Sequence, residues 1–72
     1  MTAIEIINQI EADKKARKVE PTHALIREVE NIAYQVHGVF AKHIIISELD
    51  RLIRDRVIII GDTINDKYIT IL

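Results

Sequence analysis

Apolar residues along this chain recur at helical spacing in three successive segments, and the spacing then gives way to that of strands. Ala3, Ile4, Ile6, Ile7 and Ile10 fall on about a third of a helical wheel. They follow Thr2-Ala3-Ile4-Glu5, which has the form of a capping box with Thr2 as N-cap and Glu5 bonding back. Lys14, Arg17 and Lys18 occupy the places where the stripe would continue. The pattern predicts a first helix over about 2–17, with its front half buried and 11–18 an exposed, fraying end. Val19-Glu20-Pro21 interrupts it, since proline disfavours helix at the residue before it. Thr22 is a natural cap for a second helix over about 22–36, whose apolar face is Leu25, Ile26, Val29, Ile32, Ala33 and Val36. Its opposite face presents His23, Arg27, Glu30 and Tyr34, and Gly38 is placed to end it. Tyr34 is either a partner-facing aromatic or a ring tucked under a neighbouring element, and the second reading is preferred.

The third helix, about 41–55, divides most cleanly. At about 100° per residue Ala41, Ile44, Ile45, Leu49, Leu52 and Ile53 point inward. His43, Ser47, Asp50 and Arg54 point outward, with Arg51 beside them. Arg56 would return to the buried face, so the helix should end near Asp55. The period then falls to two. Val57–Ile60 is apolar on both faces, which suggests a strand paired or covered on both sides. Lys67–Leu72 alternates, with Ile69 and Ile71 on one face and Tyr68 and Thr70 on the other. Gly61 to Asp66 is rich in turn formers, and Asn65-Asp66 alone could close a tight hairpin. A short strand near Lys18–Glu20 could supply a third partner. The expected fold class is α+β: three helices followed by a C-terminal β-hairpin over about 57–72, in one domain spanning 1–72.

Composition narrows the function classes. A chain of 72 residues is near the lower limit for folding on one core, and with no cysteine it has neither disulfides nor thiolate metal sites to help. The longest apolar runs are far too short to cross a bilayer, and no basic segment followed by a long apolar stretch opens the chain. A cytoplasmic protein with no membrane partner is the expectation. The histidines, His23, His37 and His43, lack the spacing of a zinc site. Ser47 is the only serine, there is no glycine-rich phosphate loop, and no carboxylate pair sits in an apolar setting. These features argue against an enzyme and imply no cofactor, metal or small-molecule substrate.

Charge gives a weaker signal. The net charge is −1, whereas DNA-binding domains tend to be basic. Any phosphate contact must therefore come from local patches. Lys14, Lys15, Arg17 and Lys18 form the densest one, either a secondary backbone contact or a solvated helix end. Arg51, Arg54 and Arg56 form the other, either a phosphate row or side chains paired with Asp50 and Asp55.

From the second helix onward the chain resembles the winged helix-turn-helix superfamily. The resemblance rests on the turn His37-Gly38-Val39-Phe40 and on Leu49-Asp50-Arg51-Leu52-Ile53-Arg54-Asp55-Arg56-Val57-Ile58, which is similar to that superfamily's link between recognition helix and wing. It implies a regulator or accessory factor that binds double-stranded DNA, with the third helix in the major groove and the 60–67 hairpin as a wing on the backbone or minor groove. Lys42, His43 and Ser47 would then meet base edges, and Arg51, Arg54 and Lys67 phosphates. The chain departs from the pattern in three places. Arg56 stands where a glycine is usual, the wing carries Asp62 and Asp66 but no arginine, and Asp50 interrupts the exposed row. Winged helices also serve as protein-interaction modules, and that is the alternative function. The high apolar fraction further suggests a homodimer, with the first helix packing across a two-fold axis.

Overall fold

The computed structural model describes residues 2–20, 22–62, 64 and 66–72. Elements run in the order α1 (Ala3–Ala16), β1 (Ala24–Leu25), α2 (Ile26–His37), a 3-10 turn (Gly38–Phe40), α3 (Ala41–Arg54), β2 (Ile58–Asp62) and β3 (Lys67–Ile71). The architecture is α+β, with helices preceding a C-terminal antiparallel strand pair. Among the described residues no helix is long and apolar enough to cross a membrane.

The capping box opens α1. Glu5 Oε1 accepts from the Thr2 N–H at 3.1 Å, and the Thr2 hydroxyl accepts from the Glu5 N–H at 3.3 Å. The backbone and side-chain hydrogen bonds from Thr2 hold the Glu5 carboxyl below its ordinary pKa. The Ala3 N–H, an orphan donor of the first turn, is taken by the Glu48 carboxylate of α3. Helix α1 thus starts pinned to α3. Ala3, Ile6, Ile7 and Ile10 are buried, and none of the large apolar residues of α1 is left exposed.

The interval between α1 and α2 departs from expectation. Residues 18–20 form no strand, because Lys18 takes a left-handed conformation (φ 57°) that turns the chain sharply. The third strand lies further on: Ala24 pairs with Ile69 and Leu25 with Tyr68. Helix α2 therefore begins at Ile26 and not at about 22, and Thr22 does not cap it. Glu28 does the capping from inside, reaching back to accept the Leu25 N–H at 2.9 Å. The expected break at Pro21 and the Asn65-Asp66 turn fall partly on residues outside the described set.

Gly38 (φ 71°) ends α2 as its freedom at positive φ permits, its N–H bonding to the Tyr34 carbonyl. Helix α3 buries Ala41, Ile45 and Leu49, with Leu52 packed against them. Ile44 and Ile53, expected inside, remain 36% and 41% exposed. At 100° per residue each lies roughly 90° from the centre of the buried arc, one on either edge. The apolar stripe of α3 is narrower than its composition.

Both α1 and α3 end in the same backbone device. The Val57 N–H bonds to the Leu52 carbonyl (2.9 Å) and the Arg56 N–H to Ile53 (3.1 Å), with Arg56 at φ 59°. In α1 the Val19 N–H bonds to Lys14 (2.8 Å) and the Lys18 N–H to Lys15 (3.2 Å). These are Schellman closures with a basic residue where glycine is usual. Arg56, which stands where the resemblance would have a glycine, takes the left-handed conformation itself.

The sheet order is β1-β3-β2. Ile58 and Ile69 face the core, fully buried, and Gly61 lies opposite Tyr68. A Cβ at Gly61 would overlap the Tyr68 ring, so the glycine is required by close approach and not by its own dihedrals. The same ring lies 5.5 Å from that of His23. Val57–Ile60, expected to be paired or covered on both sides, is neither: among the described residues β2 pairs with β3 alone and forms the edge of the sheet, and Ile59 is half exposed.

Candidate nucleic-acid interface

The outward arc of α3 is set by its register. Burying Ala41, Ile45, Leu49 and Leu52 leaves Lys42, His43, Ser47, Asp50, Arg51 and Arg54 exposed. These six do not form one surface. Ser47, Arg51 and Arg54 line a single shallow recess together with Glu48. Glu48 is itself committed to the α1 N-terminus through the Ala3 N–H. Among the described residues neither Arg51 nor Arg54 forms an ion pair, so the expected alternative, pairing with Asp50 and Asp55, is not realised. Both guanidiniums stand in solvent with their donors free.

Lys42 is about 100° round the helix from His43. It lies beside Glu30, Asn31 and Tyr34 of α2 and away from the arginines. Tyr34 is 61% exposed, so the tucked ring is corrected to a surface aromatic, held near Lys42.

Lys67 is separated further. It borders a groove between α2, α3 and the hairpin whose floor and walls are Ile26, Ile46, Leu49, Ile53 and Ile60, with Glu30 and Asp50 on the rim. A neighbouring recess adds Asp62 and Asp66 around the same lysine, with Arg27 reaching Asp66 at 3.4 Å. The two recesses that the one hairpin residue chosen for phosphate borders thus also carry four carboxylates, of which Asp66 is paired with Arg27. At the hairpin tip Ile64 is fully exposed.

The secondary patch is largely consumed by the fold. Lys14 is 7% exposed; its ammonium donates to Glu28 Oε1 at 2.6 Å and to the His23 carbonyl at 3.0 Å. Its stem continues the α1 stripe past Ile10 while the charge reaches the Glu28 carboxylate, which is why a lysine could be placed inside. Burial raises the Glu28 pKa, but the hydrogen bonds from Lys14 and from the Leu25 N–H outweigh that and hold the carboxyl below its ordinary range. Arg17 bonds Asp13 one turn back at 2.7 Å. Only Lys15 and Lys18 of this patch remain exposed without an ion pair among the described residues.

The apolar groove beside Lys67 was not anticipated from the sequence. A signal existed: Ile44-Ile45-Ile46 spans about 200° of wheel, so burying Ile45 centrally forces its neighbours outward. No protein-family model matches the chain, and neither does any curated protein or solved structure.

Proposed function

We propose that the chain is a winged helix-turn-helix module that binds double-stranded DNA through the Ser47–Arg51–Arg54 side of α3. The fold-level support is the arrangement itself: a short strand between the first two helices, a tight turn into α3, and a hairpin whose second strand lies between its first strand and β1. The observation that carries the reading is the pair of guanidiniums, Arg51 and Arg54, exposed on α3 and free of the nearby aspartates. An unpaired, solvent-facing guanidinium row supplies phosphate contacts at no cost in broken ion pairs. His43 and Ser47 lie on the same exposed arc and are the candidates for base edges. The hairpin is a wing in position only: its carboxylates repel phosphate, so α3 carries the contact itself.

Titration into random duplex DNA at rising salt tests this. Affinity should fall linearly on logarithmic axes, with Arg51→Ala and Arg54→Ala each weakening all sequences alike. Absence of binding at low salt removes the reading. A second reading, a protein-interaction module without DNA binding, is favoured by the apolar groove with its Glu30 and Asp50 rim, which is better matched to a partner carrying apolar and basic side chains than to phosphate.

A further inference from the structure

Strand β2 is an open edge whose hydrogen-bonding groups can be assigned residue by residue. The Leu72 N–H donates to the Val57 carbonyl, and Ile58 pairs with Ile71 through to Asp62 with Lys67. Alternation along an antiparallel ladder then directs the polar groups of Val57, Ile59 and Gly61 toward β3. Those of Ile58, Ile60 and Asp62 point away from the sheet, to where β2 has no partner strand among the described residues. Edges of this kind are ordinarily blunted by lysine, proline or a bulge. Val57–Ile60 has none of these, and the register from Ile58 to Asp62 runs without interruption.

Both sides of the edge are apolar. Above the sheet Ile59 is 50% exposed; below it Ile53 of α3 is 41% exposed beside half-buried Ile60. A strand laid along β2 must therefore be apolar on both faces, and β2 is itself such a strand. We propose that a second copy of this chain adds there, β2 against β2 in antiparallel fashion about a two-fold axis at Ile60, making one continuous sheet through the dimer. In that register Ile60 meets its counterpart, and Ile59 lies opposite Gly61 of the second copy, where the Tyr68 ring that covers the glycine offers it a flat apolar surface. Arg56, exposed and without an ion pair among the described residues, stands just before β2 at the end that meets Asp62 of the second copy, and the two-fold axis repeats this approach of opposite charges. The charges complement each other only in the antiparallel arrangement. No β2 residue borders the Ser47–Arg51–Arg54 recess, so the interface stands or falls independently of DNA binding.

Sedimentation equilibrium of the whole chain across the micromolar range, with residue-resolved amide exchange at both ends of that range, tests the interface. Monomer should give way to dimer as concentration rises, and the Ile58 and Ile60 amides should slow with it. The Ile59 and Gly61 amides, already bonded to β3, should not change with concentration. Ile59→Lys alters an exposed side chain and should weaken dimerisation about tenfold while circular dichroism stays unchanged. Asp62→Arg should weaken it too, and Arg56→Asp in the same chain should restore it. A monomer at every concentration overturns the proposal. So does a dimer whose Ile60 amide gains no protection, or one indifferent to Ile59→Lys.

Discussion

At the end of α1 the chain reads Lys14-Lys15-Ala16-Arg17-Lys18, and at the end of α3 Arg51-Leu52-Ile53-Arg54-Asp55-Arg56. Both segments place cations where the helix dipole is negative, and both close through a left-handed basic residue. Their side chains have opposite fates. In α1 the cation on the inner side of the helix is buried and bonded to Glu28, and Arg17 is held by Asp13. In α3 the arginines sit opposite the buried arc, next to acids that do not reach them. A basic cluster is thus a structural clamp or a free surface according to which side of its helix faces the core, something its density along the chain does not report.

Substitutions at matched positions can break this contrast, and the largest effect belongs to the clamp. Lys14→Met keeps the stem but strands a part-buried carboxylate and the His23 carbonyl, and should cost about 2–3 kcal/mol in urea unfolding. Unfolding within about 0.5 kcal/mol of the parent would mean that Lys14 is a surface residue after all. For the α3 cluster the effect should appear in binding: Arg51→Ala with Arg54→Ala should leave stability nearly unchanged and lower the slope of log affinity against log salt by about two. Lys15→Ala with Lys18→Ala should leave that slope intact. Equal slopes for the two doubles would erase the distinction.

A pH series sharpens the clamp further. Glu28 has its folded pKa depressed below 4.5, so its contribution is present above the unfolded value and lost as pH falls through the folded one. The stability gap between the parent and Lys14→Met should therefore narrow as pH drops below 4.5. A gap that stays constant down to strong acid would assign the effect to packing alone. The smallest effect concerns what the two ends share. Lys18→Gly and Arg56→Gly each relieve a left-handed side chain and should each stabilise by about 0.5–1 kcal/mol, visible as a raised Tm. Destabilisation by either would mean that its side chain makes a contact worth more than the strain.

Much of the architecture was legible residue by residue. The Thr2–Glu5 box, the stop at Gly38, the inward set Ala41, Ile45, Leu49 and Leu52, and the alternation of Lys67–Ile71 are local patterns, and local backbone chemistry produces them. The misplacements have a common origin. Thr22 is a good cap, but pairing of Ala24 with Ile69 draws residues 24–25 into the sheet, and the helix waits for Glu28. Ile44 and Ile53 are apolar enough for the core, but the arc that α1 and α2 cover is too narrow to include them. At the candidate site Ser47, Arg51 and Arg54 could be grouped from helical spacing, whereas Lys42, Lys67 and Lys14 could not be sorted from them.

The sequence by itself determined the periods, the caps and therefore which segments become helix or strand, because those depend on neighbours within about one turn. Only the tertiary structure decided which charges are spent and which are free. Lys14 finds Glu28 across two elements, Glu48 finds the start of α1, and Lys67 is set among carboxylates from α2, α3 and its own hairpin. Coulombic and hydrogen-bond energies depend on distance in space. Sequence spacing fixes that distance only within a single element.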